Sequence, residues 1–300
     1  MRTPTGTAKE NIDQMKELYF VPLPPSLFDN LKRALGDDIT KNNLISAYIG
    51  NMQSLLDAVS LPYRLAEQFA SFRARSLIAI KETILHAELT QNQLDEISNA
   101  KFTESLDNQD EANRIFNDIA IPLLQMSTEQ RKSSIELINQ GILLTWSALE
   151  VFFRDYIELY INSDPSCCKN IIDNEILKKR NDLRKLSFEY LMESRFDISK
   201  RLGTIIVESY DCSDLVLIKE ILRCIIPDPS VDEVLNRKEL WILFQTRHLL
   251  VHRRGIVDKA YIEKTGMDLN IGDKILFRPT DLERYIVLSE EVVRLLVSTR

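Results

Sequence analysis

Glycine and proline are scarce, eight and ten in 300 residues. That scarcity argues against a turn-rich all-β fold and against collagen-like or linker-dominated chains. Long apolar runs are missing as well. The stretch Leu215–Ile226 is interrupted by Lys219, Glu220 and Arg223, and nothing approaches the roughly 18 residues of a membrane span. Met1–Asn11 is polar and lacks an apolar h-region, so no secretory leader is expected and the expected address is the cytoplasm. The four cysteines form no CxxC; Cys167 and Cys168 are adjacent, and Cys212 and Cys224 lie far on. Reduced thiols are the expectation. His86, His248 and His252 are the three histidines, and none shares metal-ligand spacing with a cysteine, so neither a metal site nor any other cofactor is expected. GxxxxGK[ST], GxGxxG and GxSxG are all absent, which removes the usual anchors of ATPases, dinucleotide enzymes and esterases.

What is present is an ordinary globular composition, 44% hydrophobic and 28% charged, with length enough for two domains or one large one. The net charge of −7 offers nucleic acid no global attraction. It is unevenly spread, however. Residues 1–120 hold 12 basic against 17 acidic side chains, whereas residues 237–264 hold seven basic against three acidic. The local excess of +4 reads either as a partner-binding patch or as a solvated helix end.

Apolar residues recur at threes and fours almost throughout, so the chain is expected to be all-α. Ser26–Asp29 opens a helix after Pro22, Pro24 and Pro25. Thr40 to about Val59 is a second helix, and Pro62 to Leu89 a long third. Glu111–Leu124 is a short one. Ser127-Thr-Glu-Gln130 is a capping box that opens the longest helix, to about Ile161. Its stripe is Ile138, Ile142, Trp146, Leu149, Phe153, Tyr156 and Tyr160, with Glu150 at the edge, and Asp164-Pro165 ends it. Residues 169–201 are charged and helical (Ile176, Leu183, Leu186, Tyr190). Ser213 caps a helix that Pro227 and Pro229 stop. Ser230-Val-Asp-Glu233 is a second capping box, opening a helix Val231–His252 that Gly255 ends at a left-handed cap. Ile271-Gly-Asp-Lys274 between Asp268–Leu269 and Ile275–Phe277 predicts a β-hairpin, and Thr280-Asp-Leu-Glu283 caps a last helix to Thr299. A boundary near residue 125 divides a helical N-terminal region, 1–125, from a helical bundle, 126–300, with the hairpin inserted before its last helix. A single continuous helical domain is the competing arrangement.

Chemistry converges on Arg247-His-Leu-Leu-Val-His-Arg-Arg-Gly255. At about 100° per residue, Leu240, Leu243, Phe244, Leu250 and Val251 define a buried face with Arg247 at its middle. Trp241, Gln245, His248 and His252 share another face. A guanidinium amid apolar side chains needs a partner, and Glu150 is the candidate. Removing Arg247 is then expected to strand a buried carboxylate at several kcal/mol. One reading is purely structural, an Arg–Glu pair that fixes helix register, with the histidines serving the helix dipole. The other is catalytic. An imidazole titrating near neutrality beside a permanent planar cation suits a phosphodiester: one moves protons, the other neutralises charge on the phosphorane.

These residues resemble a known family. Arg247-His248-Leu-Leu-Val-His252 matches the Arg-polar-x-x-x-His signature of the HEPN superfamily. It lies at a helix end and runs into Arg253-Arg-Gly-Ile-Val-Asp258 and Tyr261. Trp146-Ser-Ala-Leu-Glu150 is similar to that family's opening helix, and the resemblance spans roughly residues 126–300. It implies a C-terminal HEPN-like helical bundle acting as a metal-independent endoribonuclease, a toxin or anti-phage defence effector that cleaves RNA by attack of the 2′-hydroxyl. It also implies a homodimer with two signatures facing one another. In that reading His252 is the general acid/base, Arg247 the transition-state clamp and His248 an orienting or second proton group. Glu150 supports Arg247, and Arg253, Arg254 and Lys259 hold flanking phosphates. Arg247 and His252 lie about 140° apart on an ideal helix, so a composite site from two subunits, or a loosened last turn, is needed. Some family toxins carry a Tyr two residues after the signature His, modified by a partner nucleotidyltransferase; Arg254 stands there, so that control is not expected. Residues 1–125 are expected to sense, or to hold an antitoxin or defence-system partner. Phe20-Val-Pro-Leu-Pro-Pro25 is similar to the opening of Fic-type adenylyltransferases, but that family's His-Pro-Phe is absent, which withholds the activity. The alternative from another class is a non-catalytic HEPN module that binds nucleotide or RNA, or scaffolds a complex.

Overall fold

A computed structural model describes residues 21–108 apart from 22, 25 and 87, residues 128–180 and 200–299, and positions 110, 114, 192, 197 and 198. The expected helix Glu111–Leu124, the boundary near 125, the capping box at Ser127, the stretch around Leu183, Leu186 and Tyr190, and part of Phe20–Pro25 lie outside them. The described residues are mostly helical and contain no strand. No helix among them is long and apolar enough to cross a membrane.

The helices, in chain order, are α1 Asp29–Arg33, α2 Ile39–Leu85, α3 Gln91–Asp107, α4 Thr128–Ser163, α5 Cys168–Asp173, α6 Glu175–Lys179, α7 Leu202–Ser209, α8 Leu215–Ile225, α9 Pro229–Leu235, α10 Lys238–Arg253, α11 Lys259–Thr265 and α12 Pro279–Ser298. Several boundaries differ from the expected ones for local reasons. Pro62 sits inside α2; it removes one backbone donor without ending the helix, so the expected second and third helices are one and α2 outruns α4. Asp228, not Ser230, caps α9 by accepting from Ser230 N. The chain then breaks at Asn236-Arg237 before α10 begins, so the expected helix 231–252 is two. Asp214, one residue past Ser213, caps α8. In the last helix Pro279 takes the first turn, and Asp281 accepts from the Arg278 N–H at 2.9 Å.

The expected β-hairpin is not formed. Asn270–Asp273 is a turn, with the Asp273 N–H donating to the Asn270 carbonyl and Gly272 at φ 92, the positive value a type II turn requires. The flanks of that turn do not pair with each other. The returning chain bonds instead to the segment after α10: Val257 N to Asp273 O and Ile275 N to Gly255 O, both at 2.9 Å. A single antiparallel bridge, Ile256–Lys274, results.

The chain forms two compact units. The first takes in residues 1–22, 56–138 and 277–281. Within it, Leu94 and Phe102 of α3 and Ala74 of α2 are buried, Arg75 lies over the Phe102 ring at 4.7 Å, and Lys101 pairs with Glu82 at 2.7 Å. The second takes in residues 23–55, 139–276 and 282–300, and thus includes a segment upstream of position 125.

The second unit is organised around α4. Every member of its expected stripe except Tyr160 is buried. Phe152 packs edge-on against Tyr48 at 5.8 Å, and Tyr156 donates to the Leu296 carbonyl of α12 at 2.7 Å. Tyr48 hydroxyl meets Ser289 at 2.6 Å. Gly203 of α7 lies so near α4 that a Cβ there would fall 2.2 Å from the Glu158 carbonyl oxygen. All four cysteines are free. Burial raises every thiol, Cys167 and Cys212 to about 11.

Candidate functional site

Helix α10 carries the site. Leu240, Leu243, Phe244, Leu249 and Leu250 are buried, whereas Val251 is 49% exposed. The expected buried face is therefore corrected by a small rotation: Leu249 replaces Val251, because Val257 and Tyr261 from the returning chain pack on Leu249. That rotation leaves Arg247 at the flank, its side chain 24% exposed.

Arg247 Nη2 lies 4.0 Å from Glu150 Oε2, and Trp146 Nε1 donates to the same oxygen at 3.2 Å. The expected partner is thus the observed one, though Glu150 is 29% exposed and not deeply buried. Burial raises the Glu150 carboxyl above its ordinary range against the opposing pull of Arg247 and Trp146. Asp211, in the turn before α8, adds a second carboxylate. Hydrogen bonds from Ser213 hold it below the ordinary range, with smaller help from Arg247 and His248. No local pattern marks Asp211, which precedes Arg247 by 36 positions and lies on no periodic stripe.

The second face of α10 is a row of rings. Phe244 meets His248 edge-on at 4.6 Å, and His248 stacks on His252 at 5.7 Å with planes 21° apart. Trp241 donates its Nε1 to the Lys264 carbonyl at 2.8 Å, which fixes the indole against α11. His248 is pulled below the ordinary imidazole range, first by burial, then by Arg247, His252 and Lys264. It therefore feels both Arg247 and His252.

Two cavities open on either side of this row. One, of about 410 Å³, is lined by Asp211, Ser213, Trp241, Phe244, Gln245 and His248 among others. The other, of about 200 Å³, is lined by Gln245, His248, His252, Arg253 and Tyr261 among others. Lys264 borders both and has no periodic neighbour that would have marked it beforehand.

The helix stays regular through Arg253 and stops at Arg254, which adopts the left-handed conformation at φ 53. Gly255 follows at φ 80. The cap thus falls one residue before the expected glycine, with Arg254 N bonded to Leu250 O and Gly255 N to Leu249 O. No loosened last turn is present, so Arg247 and His252 keep their separate directions. The basic rim is partly engaged: Arg253 Nε lies 3.5 Å from Asp258, and Lys259 lies 3.5 Å from Glu263. Arg254 is exposed. Among the described residues no group of three or more His, Cys, Asp or Glu side chains is arranged to hold a metal ion.

Comparison with protein-family models, with characterised proteins and with solved structures finds no match to this chain.

Proposed function

We propose that the chain is a metal-independent endoribonuclease of HEPN type, acting as a toxin or anti-phage defence effector. The observation that carries the reading is the helix end itself: a guanidinium, two stacked imidazoles and two adjoining cavities gathered within the last two turns of α10. A neutral imidazole accepts the proton of the RNA 2′-hydroxyl, whose oxygen attacks the adjacent phosphorus. The P–O5′ bond breaks, the leaving oxygen takes a proton, and a 2′,3′-cyclic phosphate remains. His248, held below its ordinary range by burial, is suited to the accepting role, and His252 to returning a proton. Arg247 neutralises the phosphorane.

One copy does not aim Arg247 and His252 together, since α10 is regular to Arg253. The scheme therefore uses a two-fold dimer in which each copy completes the other's site. Arg254 and Lys264 pair with no carboxylate among the described residues, and in this reading they hold flanking phosphates, with Arg253 and Lys259 beside them. Residues 1–125 hold an antitoxin or another defence-system partner in this reading.

Incubating the purified chain with tRNA and mRNA in EDTA tests it. Cleavage is expected in EDTA, and His252→Ala and Arg247→Ala are each expected to abolish it. Cleavage that needs Mg²⁺, or that survives His252→Ala, overturns the mechanism. Both variants should stay folded. A partly exposed pair at 4.0 Å contributes only about 1 kcal/mol or less, not the several kcal/mol of a buried one.

The Glu150 contact also favours a second reading. A guanidinium engaged by Glu150, which Trp146 holds in place, serves a non-catalytic module that binds nucleotide or RNA, or scaffolds a complex. That reading requires the wild-type chain to bind RNA, or a protein partner, without cutting RNA.

A further inference from the structure

Gln245 is the site's unexplained residue. It is 4% exposed, it lines both cavities, and its side chain makes no hydrogen bond among the described residues. The Gln245 amide is not among the fully buried polar atoms that lack a partner, so it stays open to the cavities, where a ligand can bond it. The larger cavity says which kind. Trp241 and Phe244 stand along it with rings 5.5 Å apart and 47° tilted, and Trp241 is fixed by its bond to Lys264. That wall suits a flat ring system. The opposite rim is negative. Asp214 is occupied by Val216 N and Arg180. Asp211 is occupied by Ser213 but keeps acceptor capacity. A carboxylate there repels a phosphate and accepts from an exocyclic amine, a group that adenine has and uracil lacks.

We propose that this cavity is an adenine subsite, in which the base stacks along Trp241 and Phe244 and the Gln245 amide reads its amino group and ring nitrogen. Glutamine offers one acceptor beside one donor, the pairing that recognises adenine N6 and N7. The purine supplies the larger stacking surface. Lys264, at the rim, faces the sugar-phosphate side of the same nucleotide. The subsite rests on the ribonuclease reading only in taking the adenine to be a base of the RNA strand. Free adenine nucleotide presents the same ring.

Trp146 is fully buried and lines neither cavity, so quenching of tryptophan emission reports Trp241. The full-length chain is titrated with AMP, UMP and short adenine-rich or uracil-rich oligoribonucleotides, 2′-O-methylated so that no attack occurs. Adenine ligands are expected to quench and to bind about tenfold or more tightly than their uracil counterparts. An oligonucleotide that outbinds AMP identifies the strand as the source, and equal binding identifies the free nucleotide. Gln245→Met, equal in length and apolar, loses no internal hydrogen bond; it should melt at or above wild type and lose the preference while uracil binding is unchanged. A marked fall in its Tm shows a structural amide and overturns the proposal. So does equal quenching by adenine and uracil, or a preference that survives the substitution. Cleavage lost in His252→Ala but blind to base sinks the subsite and leaves the ribonuclease. Adenine binding without any cleavage in EDTA does the reverse.

Discussion

His248 lies where three influences meet: burial, the guanidinium of Arg247 and the ring of His252. Each disfavours its charged form, so its folded pKa falls below the unfolded value of about 6.5. A depressed value means that the unfolded chain binds the extra proton more readily, so stability rises with pH. The contribution is complete above about pH 6.5 and is lost as pH falls through the folded value. Melting curves from pH 8 to pH 5 should show a drop in Tm below about 6.5 that is shallower in His248→Gln. An identical slope in both proteins would remove His248 as its source. Glu150 runs the other way. Its folded value is raised, so its ionised form is a burden on the fold at neutral pH, relieved on acidification. Removing Arg247 therefore exposes a modest burden, because the carboxylate is already 29% in contact with solvent.

Gly203 illustrates how elements set the site's frame. Its N–H donates to Asn162 Oδ1 at 2.8 Å, and Thr204 donates to Glu158 at 2.7 Å. These bonds hold α7 against the end of α4 with no room for a side chain. Gly203→Ala should cost about 3 kcal/mol or more, since the clash is with backbone that cannot rotate away; a Tm within a degree of wild type would show that the helices separate freely. Periodicity made the α4 stripe legible, as it did the row Trp241, Gln245, His248 and His252, because both depend only on helical geometry within one element. The Arg247–Glu150 pair was legible because a cation among apolar residues calls for an acid on a facing stripe. The helix through Pro62 was not legible, because losing one hydrogen bond does not outweigh the flanking turns of α2. The break at Asn236-Arg237 was hidden for the opposite reason: apolar spacing carries straight across it. The placing of Val251 and the hairpin failed together. One returning segment, 255–275, covers Leu249 and takes up the hydrogen bonds that a hairpin would have used. Asp211 and Lys264 reach the site only through packing, which no local pattern encodes.

At the scale of the whole molecule, the net charge of −7 and the basic rim of α10 divide the work. The rim attracts a polyanion locally while the remainder repels it, so under the proposed ribonuclease reading an RNA strand would be steered to one face. The proposed composite site would make assembly a condition of activity. Sedimentation at low micromolar concentration should give about twice 34.7 kDa, with contacts from the Trp241 face of α10 or from α4 offsetting the repulsion between two basic turns. A monomer that cleaves RNA would end the composite site. The four thiols carry a different consequence. Burial pushes each further toward its protonated form, and the thiolate is the species that reacts. Alkylating reagents therefore meet a nearly inert surface while the fold is closed. The speed of labelling becomes a clock for local opening: Cys167 and Cys168 time the start of α5, Cys224 the end of α8, and Cys212, next to Asp211, the rim of the larger cavity.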